Sequence, residues 1–366
     1  MSIREKIDAG KIFNCKNFNG FIDSIIEILK YKGVSMSSFY ICEVAGVRFL
    51  TKLSFYRKSP PELYNRASKK SLSHVDTEIM ILKILLKNII LKGVSPCIIE
   101  LVYEKRCSNI TYSVKRKKCD VVAQRQHNTP YENVTQLLCS YSDLVTRGLA
   151  LDKCAFIVLE KCDITLDEYL RKTVNTPMSI TLFRSLLFQI IYTIYAINKI
   201  YPGFRHYDLH TENVMLKIDY DHKFHTKNPK YMQFEFEGKT RHVPYFGIIV
   251  KIIDFGFSQI PEEGIISVAT DDLVNMFYRS KNDLLFLFYW INRIVENTQL
   301  DQSGSISEML RSLEPNESYV SYQTEYIRRI ESKIPSYLDM VTNKIFDDYL
   351  TPVDASPICI YGSYKV

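Results

Sequence analysis

Residues 204–217 read FRHYDLHTENVMLK and follow a long apolar run. Within eight positions this stretch carries five side chains that can bind a metal or move a proton: His206, Asp208, His210, Glu212 and Asn213. Three kinds of site would use such a set: a histidine metal cluster, a pair of acids for hydrolysis, or a loop that holds a phosphate donor. Motifs elsewhere in the chain help to decide among them.

A second polar motif, Asp254-Phe255-Gly256, lies 46 residues after Asp208 and closes the buried β run GIIVKIIDFGFS. A carboxylate such as Asp208 can accept the proton of an attacking hydroxyl, while Asn213 and Asp254 offer oxygen ligands to Mg²⁺. The spacing of Asp208 and Asn213, followed by D-F-G, matches the catalytic loop and metal-binding turn of protein kinases. The two motifs in this order favour the phosphate-donor loop.

Upstream, the sequence offers side chains that could hold a nucleotide. Two β-rich runs flank a turn signal at Ala45-Gly46 and predict a hairpin. Lys52 lies on the second arm of this hairpin, where the V-A-I-K lysine of kinases lies. Glu78, in the helical run DTEIMILKIL, is placed to pair with Lys52 and hold it towards phosphates.

Apolar residues at helical spacing predict one amphipathic helix that contains Glu78, with Asp76 as its cap and Gly93 as its stop. Before the hairpin, KGVSMSSFYI has Gly33, Ser35 and Ser38 at the spacing of a G-x-G-x-x-G phosphate loop, with only the first glycine present. Serine amides can also bind phosphate, although serine does not adopt positive φ as readily as glycine.

From about Gly33 to Val295 the chain resembles a eukaryotic-type protein kinase of the serine/threonine type. It is similar to haspin-like kinases and to kinases of large cytoplasmic DNA viruses. The resemblance implies an α+β, bilobal protein kinase fold, with a small β-rich N-lobe that contains the αC helix and a larger helical C-lobe. It also implies that Glu160 and Cys162 offer backbone groups to adenine, and that Asp283 braces the catalytic loop.

The resemblance divides the chain into three parts. Residues 1–32 would be an N-terminal extension, and residues 33–162 would form the N-lobe and hinge, with a basic insertion or mobile loop at about 106–148. Residues 163–366 would form the C-lobe, with a second insertion at about 219–244 and divergent C-terminal helices.

The chain departs from the kinase pattern at three places. Tyr207 replaces the arginine of H-R-D, so a phosphate on the activation loop would lose its usual guanidinium partner. His210 replaces the lysine that serine/threonine kinases place two residues after the catalytic aspartate. No A-P-E motif follows Phe255, so substrate docking cannot be read from the usual segment.

Composition sets broad limits on the protein class. With 366 residues, 46% hydrophobic and 24% charged, the chain suits a soluble globular protein of one or two domains, and its net charge of +6 suits an anionic ligand without requiring nucleic acid. Nine cysteines without a C-x-x-C pair predict neither a disulfide framework nor a zinc site, and favour a reducing compartment. The apolar run 180–200 contains Arg184, Gln189 and Asn198 and predicts a buried helix rather than a membrane span.

The sequence therefore predicts a protein kinase that uses ATP and Mg²⁺ or Mn²⁺. Its predicted catalytic residues are Asp208, His210, Lys52 and Glu78. Its predicted nucleotide-binding residues are Gly33, Ser35, Ser38, Lys52, Glu160 and Cys162, and its predicted metal ligands are Asn213 and Asp254. We expect a monomer that acts on a protein substrate of unknown identity, needs no nucleic acid, and works in the cytoplasm, or in a virion if the source is viral.

Two other readings stay open at this point. The incomplete glycine loop and Tyr207 would suit a catalytically dead kinase fold that serves as a scaffold. The H-x-D-x-x-x-x-N pattern with a later aspartate also occurs in small-molecule kinases of the aminoglycoside or choline type. His206 and His210 could in principle bind zinc, although a His206 packed under the loop is the simpler expectation.

Overall fold

The computed structural model describes residues 12–16, 18–29, 37–58, 72–111, 129–172, 179–220, 230–266, 283–296, 304–313, 335–350 and 359–366. They form two compact units. The N-terminal unit contains the described residues as far as Ile79 together with Glu100–Lys161, and the C-terminal unit contains Met80–Ile99 and the described residues from Cys162 onward. The first unit is rich in strands and the second is rich in helices, so the predicted bilobal α+β class is confirmed.

The N-terminal unit is built on one antiparallel sheet. Its strands are β1 (Ile25–Leu29), β2 (Ser37–Val44), β3 (Val47–Arg57), β4 (Leu101–Ser108) and β5 (Ala150–Glu160), in the order β1-β2-β3-β5-β4. The predicted hairpin is β2 and β3. Its turn residues, Ala45 and Gly46, have φ of 51° and 75°, as a two-residue turn that matches the strand twist requires.

The helices of this region begin with α1 (Asn19–Ser24) and α2 (His74–Leu85), and α2 continues as a π-helical turn at Leu86–Ile90. The sequence predicted Asp76 as the N-terminal cap of α2, and this prediction is wrong. Ser73 is the cap, because its hydroxyl accepts a hydrogen bond from the Asp76 N–H at 3.1 Å and donates to the Asp76 carboxylate at 2.8 Å. The predicted stop at Gly93 is confirmed: its φ is 66° and its N–H binds the Ile90 carbonyl.

Part of the stretch at 106–148, which the sequence predicted to be a basic insertion or mobile loop, is a helix, α3 (Pro130–Thr146). Thr129 caps this helix through the Glu132 N–H, and proline occupies its first turn. The buried side chains of α3 include Val134, Leu138 and Tyr141, which recur at helical spacing. The mobile-loop alternative is therefore wrong for residues 130–146, and the prediction of an insertion stays a prediction. Residues 112–128 lie outside the described residues.

The cysteine pattern, which predicted no disulfide framework, gave no sign of the following bond. Cys15 and Cys107 form a disulfide, with Cα atoms 5.2 Å apart. The bond ties the segment before α1 to strand β4, beside a fully buried aromatic cluster that includes Phe13, Phe21 and Phe156. Because structural disulfides persist mainly in oxidising settings, this bond removes the cysteine argument for a reducing compartment.

The C-terminal unit is organised around one long helix. Besides the second half of α2, it contains α4 (Leu166–Lys172) and α5 (Ile180–Ile200). By length and composition α5 could cross a membrane, but most of its apolar stretch is buried inside the unit. A helix that is buried on several faces is typical of a protein core. The polar side chain of Gln189 in α5 is satisfied there, because it donates to the Ile248 carbonyl and accepts from the Val250 N–H.

The C-terminal unit also contains two three-stranded sheets. The first contains β6 (Ile164–Thr165), β7 (Val214–Ile218) and β10 (Ile248–Ile252), in the order β10-β7-β6. The second contains β8 (Lys230–Phe236), β9 (Lys239–Tyr245) and β11 (Cys359–Lys365), in the order β11-β8-β9 with β11 parallel to β8. The predicted insertion at 219–244 thus carries the β8 and β9 hairpin, which packs Phe234 against Tyr192 of α5.

The remaining helices are α6 (Asp283–Glu296), α7 (Ser305–Leu313) and α8 (Tyr337–Val341), followed by a 3-10 segment at Lys344–Leu350. Ser336 caps α8 in a capping box with Asp339. The helical character predicted from 306 to 350 is confirmed in these segments, and residues 314–334 lie outside the described part of the chain.

Candidate active site

In the N-terminal unit, the predicted pair of Lys52 and Glu78 is present. The Lys52 Nζ lies 3.0 Å from Oε1 and 2.8 Å from Oε2 of Glu78. The central strand β3 places Lys52 opposite Ile157 of the neighbouring strand β5, and the first half of α2 carries Glu78. The sequence-predicted residues are therefore brought together as an ion pair.

This ion pair is almost completely buried. The side chains of Lys52 and Glu78 are only 8% and 4% exposed. Taking two charges out of water costs several kcal/mol per ion, so each needs the other in this environment. The Phe39 ring lies 5.5 Å from the Lys52 Nζ and covers the ammonium group.

In the C-terminal unit, the loop between α5 and β7 holds Asp208 and Asn213 together. The Asn213 amide nitrogen donates to the Asp208 backbone oxygen at 2.8 Å and to the Asp208 Oδ2 at 3.1 Å. An ionised carboxylate can only accept, so the nitrogen of the amide must face Asp208. The Asn213 Oδ1, which is the atom able to bind a metal, points away from these two bonds.

Strand pairing brings Asp254 to the same end of the sheet. Val214 at the start of β7 is the register partner of Ile252 at the end of β10. The Ile253 N–H then donates to the Asn213 carbonyl at 3.0 Å, and Asp254 is the next residue. Asp254 has φ of 59°, a left-handed backbone that redirects the chain into the short 3-10 turn after it.

The His210 ring has a defined tautomer. Its Nδ1 accepts a hydrogen bond from the Glu212 N–H at 3.2 Å, so Nε2 carries the proton. Burial lowers the pKa of His210, which favours the neutral ring at neutral pH. The Nε2 lies 3.7 Å from the Asp208 Oδ1, too far for a hydrogen bond, and the ring stands near the side chains of Phe286 and Trp290.

His206 is packed under the loop. It is fully buried, its Nε2 lies 2.9 Å from the Ile253 carbonyl oxygen, and its ring centroid lies 5.0 Å from that of Phe255. Burial lowers the pKa of His206, and its Nδ1 has no hydrogen-bond partner. Among the described residues no group of three or more His, Cys, Asp or Glu side chains is placed to hold a metal. This geometry fits a structural histidine and not a zinc ligand.

Asp283 braces the residues before Asp208, as the resemblance implied. Its carboxylate accepts hydrogen bonds from the N–H groups of His206 and Tyr207, each at 3.0 Å. Tyr207 has φ of 63°, which is costly for a residue with a large side chain. The two hydrogen bonds to one buried carboxylate hold this conformation in place.

Comparison with known proteins agrees with this geometry. No family model matches the chain. It is 26% identical over 318 residues to a protein of Acanthamoeba polyphaga mimivirus that carries a provisional serine/threonine-protein kinase name, covering 79% of this chain and 77% of the relative. The chain resembles serine/threonine protein kinases.

Shorter matches point to the same class of kinase. A second mimivirus protein with the same kind of provisional name is 29% identical over 132 residues, 35% of this chain and 27% of the relative. Mouse haspin, a serine/threonine-protein kinase, is 29% identical over 115 residues, 31% of this chain and 14% of the relative. The predicted similarity to viral and haspin-like kinases is confirmed, and it supports a serine/threonine protein kinase in general.

Where the structure describes them, the residues predicted to bind the phosphates and the adenine of a nucleotide are not brought together as the Lys52 and Glu78 pair is. Gly33 and Ser35 lie outside the described residues. Ser38 lies within strand β2 as the partner of Leu53, and not in a loop. The Glu160 N–H donates to the Glu100 carbonyl, so an adenine contact at Glu160 would use its own carbonyl oxygen.

Cys162, the other residue predicted to contact adenine, is buried two residues after the end of β5. The sequence reading missed one residue near the loop, Tyr337 of α8, whose hydroxyl accepts a hydrogen bond from Arg205. The two residues are 132 positions apart, and no local pattern connects them.

Proposed function

We propose that the chain is an ATP- and Mg²⁺-dependent protein kinase that phosphorylates serine or threonine hydroxyls. The observation that carries this proposal is the position of Asn213. Its amide nitrogen binds Asp208, and its backbone oxygen binds the N–H of Ile253, the residue before Asp254. One asparagine therefore ties the proposed base to the proposed metal-binding turn.

Asp208 would act as the base. Its carboxylate would accept the proton of the substrate hydroxyl while the hydroxyl oxygen bonds to the γ-phosphorus and the bond from that phosphorus to ADP breaks. The hydrogen bond from the Asn213 amide nitrogen to Oδ2 holds the carboxylate before substrate arrives. Such fixed polar groups contribute to rate because they need no reorganisation during the reaction.

Asn213 and Asp254 fit a hard divalent cation, because both offer oxygen ligands and Asn213 directs its Oδ1 away from Asp208. When bound, Mg²⁺ or Mn²⁺ supplies positive charge to the phosphate oxygens. His210 would add one neutral N–H donor where most relatives supply a full positive charge. We therefore expect the metal to carry a larger share of the charge neutralisation here.

Lys52, held by Glu78, would bind the α and β phosphates of ATP. Gly33, Ser35 and Ser38 remain the proposed phosphate loop. Glu160 and Cys162 remain the proposed backbone contacts to adenine. The acceptor would be a protein, bound by a monomeric cytoplasmic enzyme without nucleic acid.

The test is phosphate transfer from labelled ATP with Mg²⁺, alone and with a basic protein acceptor. Asp208→Asn is the test variant, and Asp143→Asn is the control because Asp143 lies on the surface of the N-terminal unit, 62% exposed. We expect transfer to serine or threonine by the unaltered protein and the control, and a fall of about 10²- to 10⁴-fold in kcat for Asp208→Asn.

Three other outcomes of the transfer and Tm measurements would each reject the proposed protein kinase function. Absence of transfer, with no Mg²⁺-dependent rise in Tm on adding ATP, would exclude an ATP-using enzyme. A rise in Tm without transfer would favour the scaffold. Label found in a sugar or amine but never in protein would favour the small-molecule kinase.

A further inference from the structure

The hydroxyl of Tyr337 lies at the centre of a small polar cluster beside the catalytic loop. It accepts hydrogen bonds from the Arg205 Nη1 at 2.8 Å and from the Asp283 backbone N–H at 3.1 Å. Its own proton is directed to the Asp283 Oδ2 at 3.5 Å. Burial raises the pKa of Tyr337, so the hydroxyl keeps this proton.

Asp283 connects this cluster to the loop. The same Oδ2 accepts the His206 N–H, while Oδ1 accepts the N–H of Tyr207, the residue with the left-handed backbone. Arg205 lies one residue before His206, and its backbone pairs with Gln259 in both directions, at 3.2 and 2.9 Å. The start of the loop is thus held on one side by Gln259 and on the other by the Tyr337 cluster.

We infer that Tyr337 is a positioning residue for the catalytic loop. This inference rests on the proposed function, in which Asp208 is the base. The Tyr337 hydroxyl binds both Arg205 and the backbone of Asp283, the first residue of α6. It therefore sets the position from which the Asp283 carboxylate binds the N–H groups of His206 and Tyr207. Without the hydroxyl, the Asp283 N–H and the Arg205 guanidinium lose one partner each, and the carboxylate that holds Tyr207 gains freedom.

A simpler role for Tyr337 would be to pack α8 onto the unit. That role needs the ring and not the hydroxyl, so Tyr337→Phe separates the two roles. The matched control is Tyr192→Phe, because the Tyr192 hydroxyl also makes a buried hydrogen bond in this unit, to the Val94 carbonyl at 3.1 Å, away from the loop. Tyr192→Phe removes one donated hydrogen bond, whereas Tyr337→Phe removes two accepted bonds and one donated bond. The control therefore reports what the loss of a buried tyrosine hydroxyl does in this unit when the hydroxyl lies away from the loop.

Three quantities are measured on both variants in the full chain: Tm, the steady-state kcat and KM for ATP, and hydrogen exchange of the peptide that contains His206 and Tyr207. We expect Tyr337→Phe to lower kcat about tenfold, with little change in KM, because the Asp283 carboxylate that positions the loop in the transition state is held less firmly without the hydroxyl. Exchange in the loop peptide should rise about tenfold as well. Tyr192→Phe should lower Tm by less, since its hydroxyl makes one hydrogen bond, and should leave kcat and the loop exchange unchanged.

Equal kcat and equal loop exchange in the two variants would overturn the inference. If Tyr337→Phe folds poorly, Arg205→Leu removes the other half of the pair and should give the same exchange increase; an unchanged loop in that variant would also overturn it. If the unaltered protein transfers no phosphate, the proposed function fails, but the exchange measurement still decides whether the hydroxyl holds the loop.

Discussion

Removing one partner of the buried Lys52 and Glu78 pair should destabilise the protein strongly, and removing both should not. The two side chains are 8% and 4% exposed and touch at 2.8 Å, so a single replacement such as Lys52→Met leaves a buried carboxylate without its ammonium partner. Breaking such a pair costs about 3–5 kcal/mol, whereas replacing both charges with apolar side chains is often neutral or stabilising. For a unit of this size the single variants should lose about 6–20 °C in Tm.

The assay compares four proteins by thermal unfolding and by phosphate transfer: the unaltered chain, Lys52→Met, Glu78→Leu, and the double variant. We expect the double variant to recover most of the lost Tm and still to transfer no phosphate, because the charge that would bind the ATP phosphates is gone. Arg147→Met is the control, because it removes one partner of an exposed ion pair. Arg147 and its partner Asp143 are both 62% exposed, and such surface pairs contribute little to stability.

Two results would refute this reasoning. A double variant as unstable as Lys52→Met would mean that the stability of the region depends on the charges themselves. A double variant that still transfers phosphate would mean that Lys52 does not bind ATP. Added salt should weaken this pair little in the unaltered chain, because a buried pair is weakly screened.

Two further predictions concern stability. Replacing both Cys15 and Cys107 by serine should lower the free energy of unfolding by about 2–4 kcal/mol, because the bond joins residues 92 positions apart; an unchanged denaturant midpoint would contradict this. Burial lowers the pKa of His206, so the unfolded chain binds more protons below about pH 6.5, and stability should fall as the pH falls from there towards the lowered pKa. His206→Asn should flatten that slope in Tm measured against pH, and an equal slope would exclude His206 as its source.

The sequence predicted those parts of the site that depend on short spacing. Asp208 and Asn213 lie in one loop, and Asp254 ends a strand whose apolar run is visible in the sequence. The hairpin was predictable because Ala45-Gly46 is a turn signal between β-rich runs. The pairing of Lys52 with Glu78 followed from their order along a strand and the next helix, once a resemblance supplied the template.

Three other features were not predicted from the sequence, each for a physical reason. Helix α3 carries its own signals, Thr129 before Pro130 and Glu132 in the first turn, but the neighbouring basic run made the stretch read as a loop. The Cys15 and Cys107 bond joins distant segments, and spacing alone does not determine such pairings. Tyr337 reaches Arg205 only because the C-terminal unit folds α8 against the loop.

The proposed catalytic loop is therefore held by groups that the chain itself supplies. Where the kinase pattern has an arginine that pairs with a phosphate, Tyr207 binds Asp283 through its backbone, and the nearby Arg205 guanidinium binds Tyr337. These hydrogen bonds need no added phosphate to form, and their partners lie 76 and 132 positions downstream. If the proposed function holds, catalysis should then depend on the folding of α8, because a change that loosens α8 reaches Asp208 through the Tyr337 hydroxyl.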